Sequence, residues 1–355
     1  MKTESQLQDS MNKILQDIGI KVTCCKVVIR HHLAYFDLKW SPSIPISALE
    51  RSLREIALGI QSKTVPIIKV ITELGIVRLQ VAMRKADTFS FNDIYSLSEI
   101  PNDMLFPICL GVDENGEKLW MDMSRNPHLL IAGGTGSGKS TILHTIISNA
   151  LQLNACFLRR IEIDLVDPKR IEFCSYEDIE LKNVKVYYTY EQAINLLEDT
   201  LREMENRYSF MVSKKIKKSY PAFSIKLLII DEIADLILQD KNGKLERLII
   251  LLAQKGRSAG IHIILSTQRP SVDVLTGVIK ANFPGRIACK TASKMDSKVI
   301  LDEFGAEHLL GRGDAIIRNI DFDRVRFQVA YVTDSEAILS YQLTKKAALQ
   351  VRGVL

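Results

Sequence analysis

The sequence predicts an α/β protein in which a mostly parallel sheet with helices on both faces follows a small α+β domain. From His128 onward, short apolar runs alternate with helical periods, which is the pattern of parallel strands joined by crossover helices. Before residue 98 the segments predict helices and neighbouring strands instead. The 355 residues are 46% hydrophobic and 25% charged, which is typical of a globular protein and excludes a disordered or fibrous chain.

Charge and cysteine content limit the class further. Lys and Arg number 47 against 42 Asp and Glu, and this mildly basic balance permits contact with nucleic acid without requiring it. The six cysteines form no C-x-x-C pair and no zinc-type cluster, which favours reduced thiols in a cytoplasmic protein. No apolar run approaches the roughly 18 residues of a membrane helix. We expect structural roles for His31, His32 and His308, which have no partners at ligand spacing.

The small domain is expected over residues 1–97. Ser47 is expected to cap a helix that continues over 48–58, with Glu50 completing a partial capping box. Apolar periodicity and β-branched content predict the other elements: a helix over 5–18, two strands within 21–40, and strands over 65–70 and 76–81.

Residues 98–126 are predicted to form a linker and a hairpin around the turn at residues 113–116. The main domain is expected over 127–355. Its parallel strands are predicted at 128–132, 161–166, 184–188, 226–231, 261–266 and 286–290. Its helices are predicted at 139–152, 191–212, 244–256 and 273–280, and a terminal antiparallel pair at 314–318 and 326–332.

A glycine-rich segment between a predicted strand and helix carries the strongest chemical signal. It fits G-x-x-x-x-G-K-[ST], in which glycines let the backbone aim several N–H groups at phosphates and the helix start adds positive potential. Lys139 is expected to neutralise the β- and γ-phosphate oxygens, and Ser140 to ligate Mg²⁺. The predicted ATP-binding residues are Gly133, Gly134, Thr135, Gly136, Ser137, Gly138, Lys139, Ser140 and Thr141.

Polar residues also follow two further predicted strands, where ligands of open α/β sheets bind. Asp231 is expected to hold Mg²⁺ through water, and Glu232 to polarise the attacking water. An adjacent glutamate of this kind is absent from many GTPases and kinases. Gln268 follows the next strand and is expected to sense the γ-phosphate or to orient water, although a glutamine at a strand end is often only solvated.

Arginine supplied by a second subunit can stabilise the charge of phosphoryl transfer. The candidates are Arg257, Arg269, Arg286 and Arg312, each of which could instead form a structural ion pair. The run from Lys214 to Lys218 could contact a DNA backbone, but a solvated loop is the more common role of such a run.

Taken together, these segments resemble the FtsK/SpoIIIE family of ring-forming double-stranded DNA translocases. The resemblance implies a RecA-like P-loop NTPase core, a hexameric ring with ATP sites at subunit boundaries, and sequence-independent contacts to the DNA backbone. It is carried, in order, by PHLLIAGGTGSGKS (127–140), VDPKRIEF (166–173), EMENRY (203–208), LLIIDEIADL (227–236), AQKGRSAGIHIILSTQRPSVDVLTGVIKANFPGRIA (253–288) and DEFGAEHLLGRGDAII (302–317).

The resemblance also implies roles for individual residues. Lys139 and Ser140 would bind phosphate and magnesium, Asp231 and Glu232 would act in hydrolysis, and Gln268 would act as the sensor. Arg286 is the first choice for the arginine supplied in trans, and Arg257 is the second. The region before residue 127 resembles the smaller α domain of the family.

Two departures from the family shape the functional expectation. The sequence contains no candidate membrane helix, and Leu355 follows the core too closely for a C-terminal winged-helix module. We therefore expect a minimal motor of a plasmid, phage or integrative element, assisted by a loading or relaxase-type partner. The alternatives are a conjugative coupling or virion-packaging ATPase, an ATP-dependent ring scaffold, and a small-molecule P-loop kinase.

Overall fold

The computed structural model describes residues 3–30, 32–84, 88–177 and 183–351. These residues form a four-stranded sheet near the N-terminus and an eleven-stranded sheet that dominates the chain. Each of the six cysteines is a free thiol. Within the described part of the chain, no helix is both long enough and apolar enough to cross a membrane.

The N-terminal unit is an antiparallel sheet of order β1-β2-β4-β3 covered by helices. Leu7, Met11 and Leu15 lie on one face of the first helix and are buried with Ile56 of the third, as the helical spacing predicts. The elements are α1 (Glu4–Asp17), β1 (Thr23–Arg30), β2 (Leu33–Lys39), α2 (Ile46–Arg51), α3 (Leu53–Ile60), β3 (Ile67–Ile71) and β4 (Ile76–Ala82).

The predicted cap at Ser47 is wrong. Pro45 is the N-cap of α2, and its φ of −67° and ψ of 137° place an extended residue directly before the helix. No side chain caps this helix, so Glu50 completes no capping box. The expected single helix over 48–58 is two helices, because the chain leaves helical geometry at Ser52.

The remaining elements are the strands of the large sheet and the helices that connect or cover them. These are β5 (Phe89–Ser90), α4 (Phe91–Ile94), β6 (Pro107–Asp113), β7 (Lys118–Asp122), β8 (His128–Ala132), α5 (Lys139–Ala155), β9 (Ile161–Val166), β10 (Val184–Tyr187), α6 (Tyr190–Lys214), β11 (Ile225–Ile230), α7 (Ile233–Ile237), α8 (Lys244–Ala259), β12 (Ile261–Thr267), α9 (Gly277–Asn282), β13 (Gly285–Cys289), α10 (Lys294–Leu301), β14 (Asp314–Arg318), β15 (Val325–Tyr331) and α11 (Asp334–Val351). Single 3₁₀ turns lie at Thr72–Leu74, Leu97–Glu99, Cys174–Tyr176 and Ala306–His308.

The strand order is β10-β9-β11-β12-β8-β13-β14-β15-β6-β7, and β5 pairs with β15. The first six strands of this order are parallel to one another, and the next four pair antiparallel. The α/β prediction, with helices on both faces of a largely parallel sheet, is confirmed. The predicted hairpin is also present, and it forms one edge of this same sheet through the β6–β15 pairing.

Alternation along the parallel strands divides the core into two layers. Leu129 and Ile131 of β8 pack in one layer with α5, whereas Leu130 and Ala132 pack in the other with α6 and α8. Because both faces are covered, every residue of β8 and β12 is buried. The parallel part of the sheet is therefore a rigid interior support for the loops at its carboxyl edge.

Two helices differ from expectation. The helix expected over 273–280 begins at Gly277, because the Thr276 hydroxyl accepts from the backbone N–H of Ile279 and so caps it. The sequence did not predict α11, which packs against α5 through a hydrogen bond from Gln152 to Ser340 of 2.7 Å. Leu339 and Leu343 of α11 are exposed while Tyr341 is buried, so no single apolar face marked this helix.

The N-terminal unit contacts the large sheet at the β6–β7 turn. Glu114, which is buried, accepts from Lys69 Nζ at 2.9 Å and from Gln80 Nε2 at 2.5 Å. Arg30 also donates to the carbonyl of Asn115 at 2.7 Å. A carboxylate in the turn of one sheet thus accepts hydrogen bonds from both central and edge strands of the other.

Candidate nucleotide-binding site

Four parallel strands end together at one edge of the sheet. Ala132 at the end of β8 pairs with Thr267 of β12, and Ile230 at the end of β11 pairs with both Val166 of β9 and Leu265 of β12. The segments that follow these strands are therefore neighbours in space. This register brings together the glycine-rich loop, Asp231, Glu232 and Gln268, as the sequence predicted.

The glycine-rich loop has a backbone conformation that favours glycine at two positions. Gly136 and Gly138 have φ of 71° and 104°, in the left-handed region. A Cβ on Gly138 would lie 2.2 Å from the backbone nitrogen of Gly313, so the loop passes directly against the segment before β14. The backbone N–H of Gly313 also donates to the carbonyl of Ser137 at 2.9 Å, which fixes the two segments together.

Lys139 is buried at the start of α5, with 3% of its surface exposed. Its Nζ forms an ion pair with Asp231 and donates to Ser266 Oγ at 2.9 Å. Burial, the largest influence, raises the pKa of Asp231, and the Lys139 ammonium offsets part of that increase. The lysine at the start of α5 and the acid after β11 therefore neutralise one another within the site.

Glu232 is almost completely buried, with 1% of its surface exposed. Thr267 Oγ1 donates to its Oε1 at 2.6 Å, and the backbone N–H of Gln268 donates at 3.0 Å to Oε2. Lys169 Nζ lies 3.4 Å from the same Oε2. Donors from two segments thus hold this carboxylate in one orientation.

Gln268 lies beside the glycine-rich loop. Its side-chain oxygen accepts from Thr135 Oγ1 at 2.9 Å. A cavity of about 430 Å³ lies next to these two residues. Its lining consists of Thr88, Gly134, Thr135, Gly136, Gly138, Lys139, Ser140, Thr141, Gln268, Arg312, Gln328, Val329 and Tyr331. The cavity therefore runs along the loop from the strand ends to β15.

Glu172 is a site residue that the sequence reasoning missed. Its Oε2 accepts from Ser140 Oγ at 2.8 Å, and its Oε1 lies 2.9 Å from His144 Nε2. Burial disfavours its ionised form, but hydrogen bonds from His144 and Ser140 outweigh this and lower the pKa of Glu172. The segment VDPKRIEF begins at the end of β9, at the same edge of the sheet as the acids after β11, but this position gives no signal that Glu172 meets Ser140.

The predicted trans arginines lie away from this cavity within their own chain. Arg286 is at the amino end of β13, where it pairs with Asp302 and donates to the carbonyl of Lys280 at 3.1 Å. Arg257 is exposed near the end of α8. Arg312, in contrast, lines the cavity of its own chain and has a φ of 54°. Roles for Arg286 and Arg257 at a neighbouring subunit remain predictions.

The other candidates have surface positions. Lys215, Lys217 and Lys218 are exposed where the chain leaves α6, and their contact with DNA remains a prediction. His308 lies 3.6 Å from Glu307 and outside the cavity described above. His31 lies outside the described residues. Among the described residues, no group of three or more His, Cys, Asp or Glu side chains is arranged as a metal site.

These features define a class. A strand-loop-helix with this glycine pattern, a buried lysine at the helix start, and two acids after a parallel strand two positions away in the sheet are the features of a P-loop nucleoside triphosphatase.

Comparison with known proteins narrows the class to a family. The FtsK/SpoIIIE family model matches residues 100–226 and 223–272. The DNA translocase FtsK of Streptococcus pneumoniae (strain ATCC BAA-255 / R6) is 34% identical over 337 residues, which are 90% of this chain and 43% of the relative. The DNA translocase FtsK of Treponema pallidum (strain Nichols) is 37% identical over 342 residues, which are 92% of this chain and 42% of the relative. The chain belongs to the FtsK/SpoIIIE family and carries its ATPase domain. It spans less than half the length of these relatives.

Solved structures share the fold. The conjugation coupling protein TcpA of pCW3, in a monomer form with ATPγS, matches with a TM-score of 0.66 and 20% identity, over 98% of this chain and 99% of that one. The cytoplasmic domain of the Thermomonospora curvata type VII secretion ATPase EccC matches with a TM-score of 0.60 and 23% identity, over 75% of this chain and 34% of that one.

Proposed function

We propose that this chain hydrolyses ATP and uses the energy to move double-stranded DNA through a homo-oligomeric ring. The observation that carries the proposal is that Lys139 and Gln268 line one cavity at the carboxyl edge of the parallel sheet. Asp231 pairs with that lysine, and Glu232 accepts from the backbone of that glutamine. The match to relatives named DNA translocases supports DNA as the substrate that is moved.

The donor set fits Mg²⁺. The ion prefers oxygen ligands and is usually held in nucleotide sites by one or two protein groups together with phosphate oxygens and water. Ser140 supplies a hydroxyl and Asp231 a buried carboxylate, so these two residues would hold it. When bound, the ion would supply neutralisation of the negative charge on the β- and γ-phosphate oxygens.

The chain's own residues would divide the remaining work. Lys139 would move from Asp231 to the phosphates, because the triphosphate carries more negative charge than the single carboxylate of Asp231. The carboxylate of Glu232 would accept a hydrogen bond from the attacking water and orient that water toward the γ-phosphorus. Gln268 contacts both Thr135 of the loop and Glu232, so its position would depend on whether a γ-phosphate is present.

Ring formation would bring an arginine of a second chain to the site. The transition state gains from an arginine delivered by the neighbouring subunit, and Arg286 or Arg257 would fill this role. Residues 127–355 would form the motor, 98–126 a linker and edge hairpin, and 1–97 a domain like the family's smaller α domain. We place the assembly, as a hexamer, in the cytoplasm with a loading or relaxase-type partner.

The test is ATP hydrolysis with and without linear duplex DNA. We expect duplex to raise the rate, and we expect DNA affinity to fall steeply between about 50 and 200 mM salt, because contacts to phosphates release counterions. Lys139→Ala provides the inactive control. A rate that ignores DNA would leave an ATP-dependent scaffold as the better description, and phosphate transfer to a small molecule would indicate a kinase.

Coupling or packaging motors of conjugation and virion assembly share this chemistry. The fold of TcpA extends over nearly all of both chains, including the N-terminal unit of this one. We favour a motor of a plasmid, phage or integrative element. Stimulation of ATP hydrolysis by linear duplex and not by single-stranded DNA would support a duplex motor, and the reverse result would favour transfer of a single strand.

A further inference from the structure

The loop that follows β9 is closed on itself by its own aspartate. Asp167 is fully buried, and its Oδ2 accepts from the backbone N–H groups of Glu172 and Phe173 at 2.8 and 3.0 Å. Its Oδ1 accepts from the backbone N–H of Lys169 at 3.2 Å. These bonds close residues 167–173 into a tight loop, so the direction of the Glu172 side chain is set by the fold.

Glu172 connects two residues of α5 that lie one turn apart. Ser140 and His144 are separated by four positions and so share a face of the helix. The carboxylate of Glu172 bridges them, with one oxygen on each, at 2.8 and 2.9 Å. The second nitrogen of His144, Nδ1, lies 2.9 Å from the Tyr176 hydroxyl, and Tyr176 is itself buried.

This arrangement determines where the Ser140 hydroxyl points. A hydroxyl has one proton to donate and two lone pairs. Because the proton of Ser140 is directed at Glu172, the lone pairs are left free for a cation on the side of the phosphate cavity, which Ser140 also lines. A carboxylate that accepts from a metal-binding group also increases the electron density of that group.

We propose that Glu172 is a positioning residue for the Mg²⁺ of the ATP site, holding the Ser140 hydroxyl toward the cation, and that His144 and Tyr176 hold Glu172. The inference rests on the proposed function, because it concerns the cation that accompanies ATP. A purely structural role for the carboxylate is a weaker explanation, since Asp167 closes the loop through backbone groups without it.

The experiment measures how much Mg²⁺ strengthens nucleotide binding, using the fluorescent analogue mant-ADP. Dissociation constants are measured for the full chain with Mg²⁺ and with EDTA. The gain from Mg²⁺ is the ratio of the dissociation constant in EDTA to that in Mg²⁺. Glu172→Gln should lower this gain by about 10- to 100-fold, which is the usual cost of losing a group that hydrogen-bonds to a metal ligand. Its affinity in EDTA should match that of the unaltered chain, because the amide backbone of the loop is untouched.

Controls separate this role from loss of structure. Glu177→Gln alters an acid of the same segment that accepts from Tyr188 at 2.7 Å, and it should leave the gain from Mg²⁺ unchanged. Ser140→Ala should lower the gain at least as much as Glu172→Gln. Tyr176→Phe removes one hydroxyl and keeps the ring, so it should fold and show a smaller decrease. Electron paramagnetic resonance of bound Mn²⁺ with ADP provides a second readout.

The outcomes are distinct. A normal gain from Mg²⁺ in Glu172→Gln, together with a lost gain in Ser140→Ala, would overturn the inference and leave the proposed ATP site intact. An equal loss of affinity in EDTA and in Mg²⁺ would also overturn it, because that pattern indicates damage to the loop. No binding of mant-ADP by the unaltered chain would refute the proposed function, and the inference with it.

Discussion

The backbone N–H of Gln268 donates to both carboxylate oxygens of Glu232, at 3.0 and 3.2 Å. The side-chain oxygen of the same glutamine accepts from Thr135 in the glycine-rich loop at 2.9 Å. One residue therefore contacts the phosphate-binding loop and the acid expected to orient water. The side chain of Gln268 contacts the loop while its backbone contacts Glu232, so we expect a phosphate that displaced Thr135 from Gln268 to act on the residue that restrains the acid.

Thr267 should be required for turnover through its hydroxyl. Thr267→Val keeps the side-chain shape but removes the donor that lies 2.6 Å from Glu232. A hydrogen bond to a charged group contributes about 1.5–3 kcal/mol, so we expect kcat to fall by roughly 10- to 100-fold with little change in KM for ATP. Thr267→Ser restores the hydroxyl and should recover most of the rate. Equal losses in the two variants would show that packing, and not the hydroxyl, matters.

Lys139→Ala should abolish ATP hydrolysis and also reduce stability. The change leaves Asp231 buried without its cation, and breaking a buried pair typically costs about 3–5 kcal/mol. Adding Asp231→Asn removes the uncompensated charge, so the double variant should be more stable than Lys139→Ala alone in urea unfolding. If the double variant is less stable than the single one, Lys139 and Asp231 do not compensate each other in the folded state.

Arg286→Ala should lower kcat while leaving nucleotide affinity unchanged in the protomer that carries it. A matched test mixes Arg286→Ala chains, which have a lowered kcat, with Lys139→Ala chains, which are inactive on their own. If the arginine acts in trans, an interface that combines Lys139 of the first chain with Arg286 of the second is complete, and mixing should restore part of the activity.

Failure of the mixture to recover, with both variants folded, would argue that Arg286 acts within its own chain through Asp302 and Lys280. Normal turnover by Arg286→Ala chains would remove the assignment altogether. Arg257→Ala, tested in the same mixture, distinguishes the second candidate, because Arg257 is exposed and its loss should have little effect on folding.

Stability should fall as the pH falls from about 6.5 toward 4. Burial lowers the pKa of His128 to about 3 and that of His262 to about 4, against an ordinary value of 6.5. The unfolded chain binds protons at these histidines in that interval and the folded chain does not, so each contributes up to about 1.4 kcal/mol of lost stability per pH unit. His262→Gln should reduce the slope of unfolding free energy against pH. An unchanged slope would contradict the assignment of the slope to His262.

Local patterns were sufficient for much of the fold and for the centre of the site. Apolar runs such as His128–Ala132 and Ile225–Ile230 predicted parallel strands, because a strand that is buried on both faces is apolar throughout. Such a run can be recognised without knowing which strands lie beside it. The glycine-rich loop was predictable for a similar reason, since its left-handed glycines and the following helix form one continuous segment. The placement of Asp231 and Glu232 was predictable because the two acids come one after the other at the end of β11.

Local patterns failed where a neighbour decides the outcome. Pro45, and not Ser47, occupies the N-cap position of α2, and no side chain caps that helix. Helix α11 forms although its apolar residues lie on both exposed and buried faces, because α5 supplies the surface against which it packs. Glu172 and Thr267 could not be assigned from their own segments. Their roles follow from hydrogen bonds to residues 32 and 35 positions away in the chain.

The sequence by itself determined that this chain has a P-loop beside a parallel sheet with two acids, since those features are written in contiguous residues. The tertiary structure alone decided that Glu172 meets Ser140, that Gln268 meets both Thr135 and Glu232, and that the β6–β7 hairpin becomes the edge of the main sheet. The physical reason is register: hydrogen bonding between strands distant in sequence selects which loops share an edge.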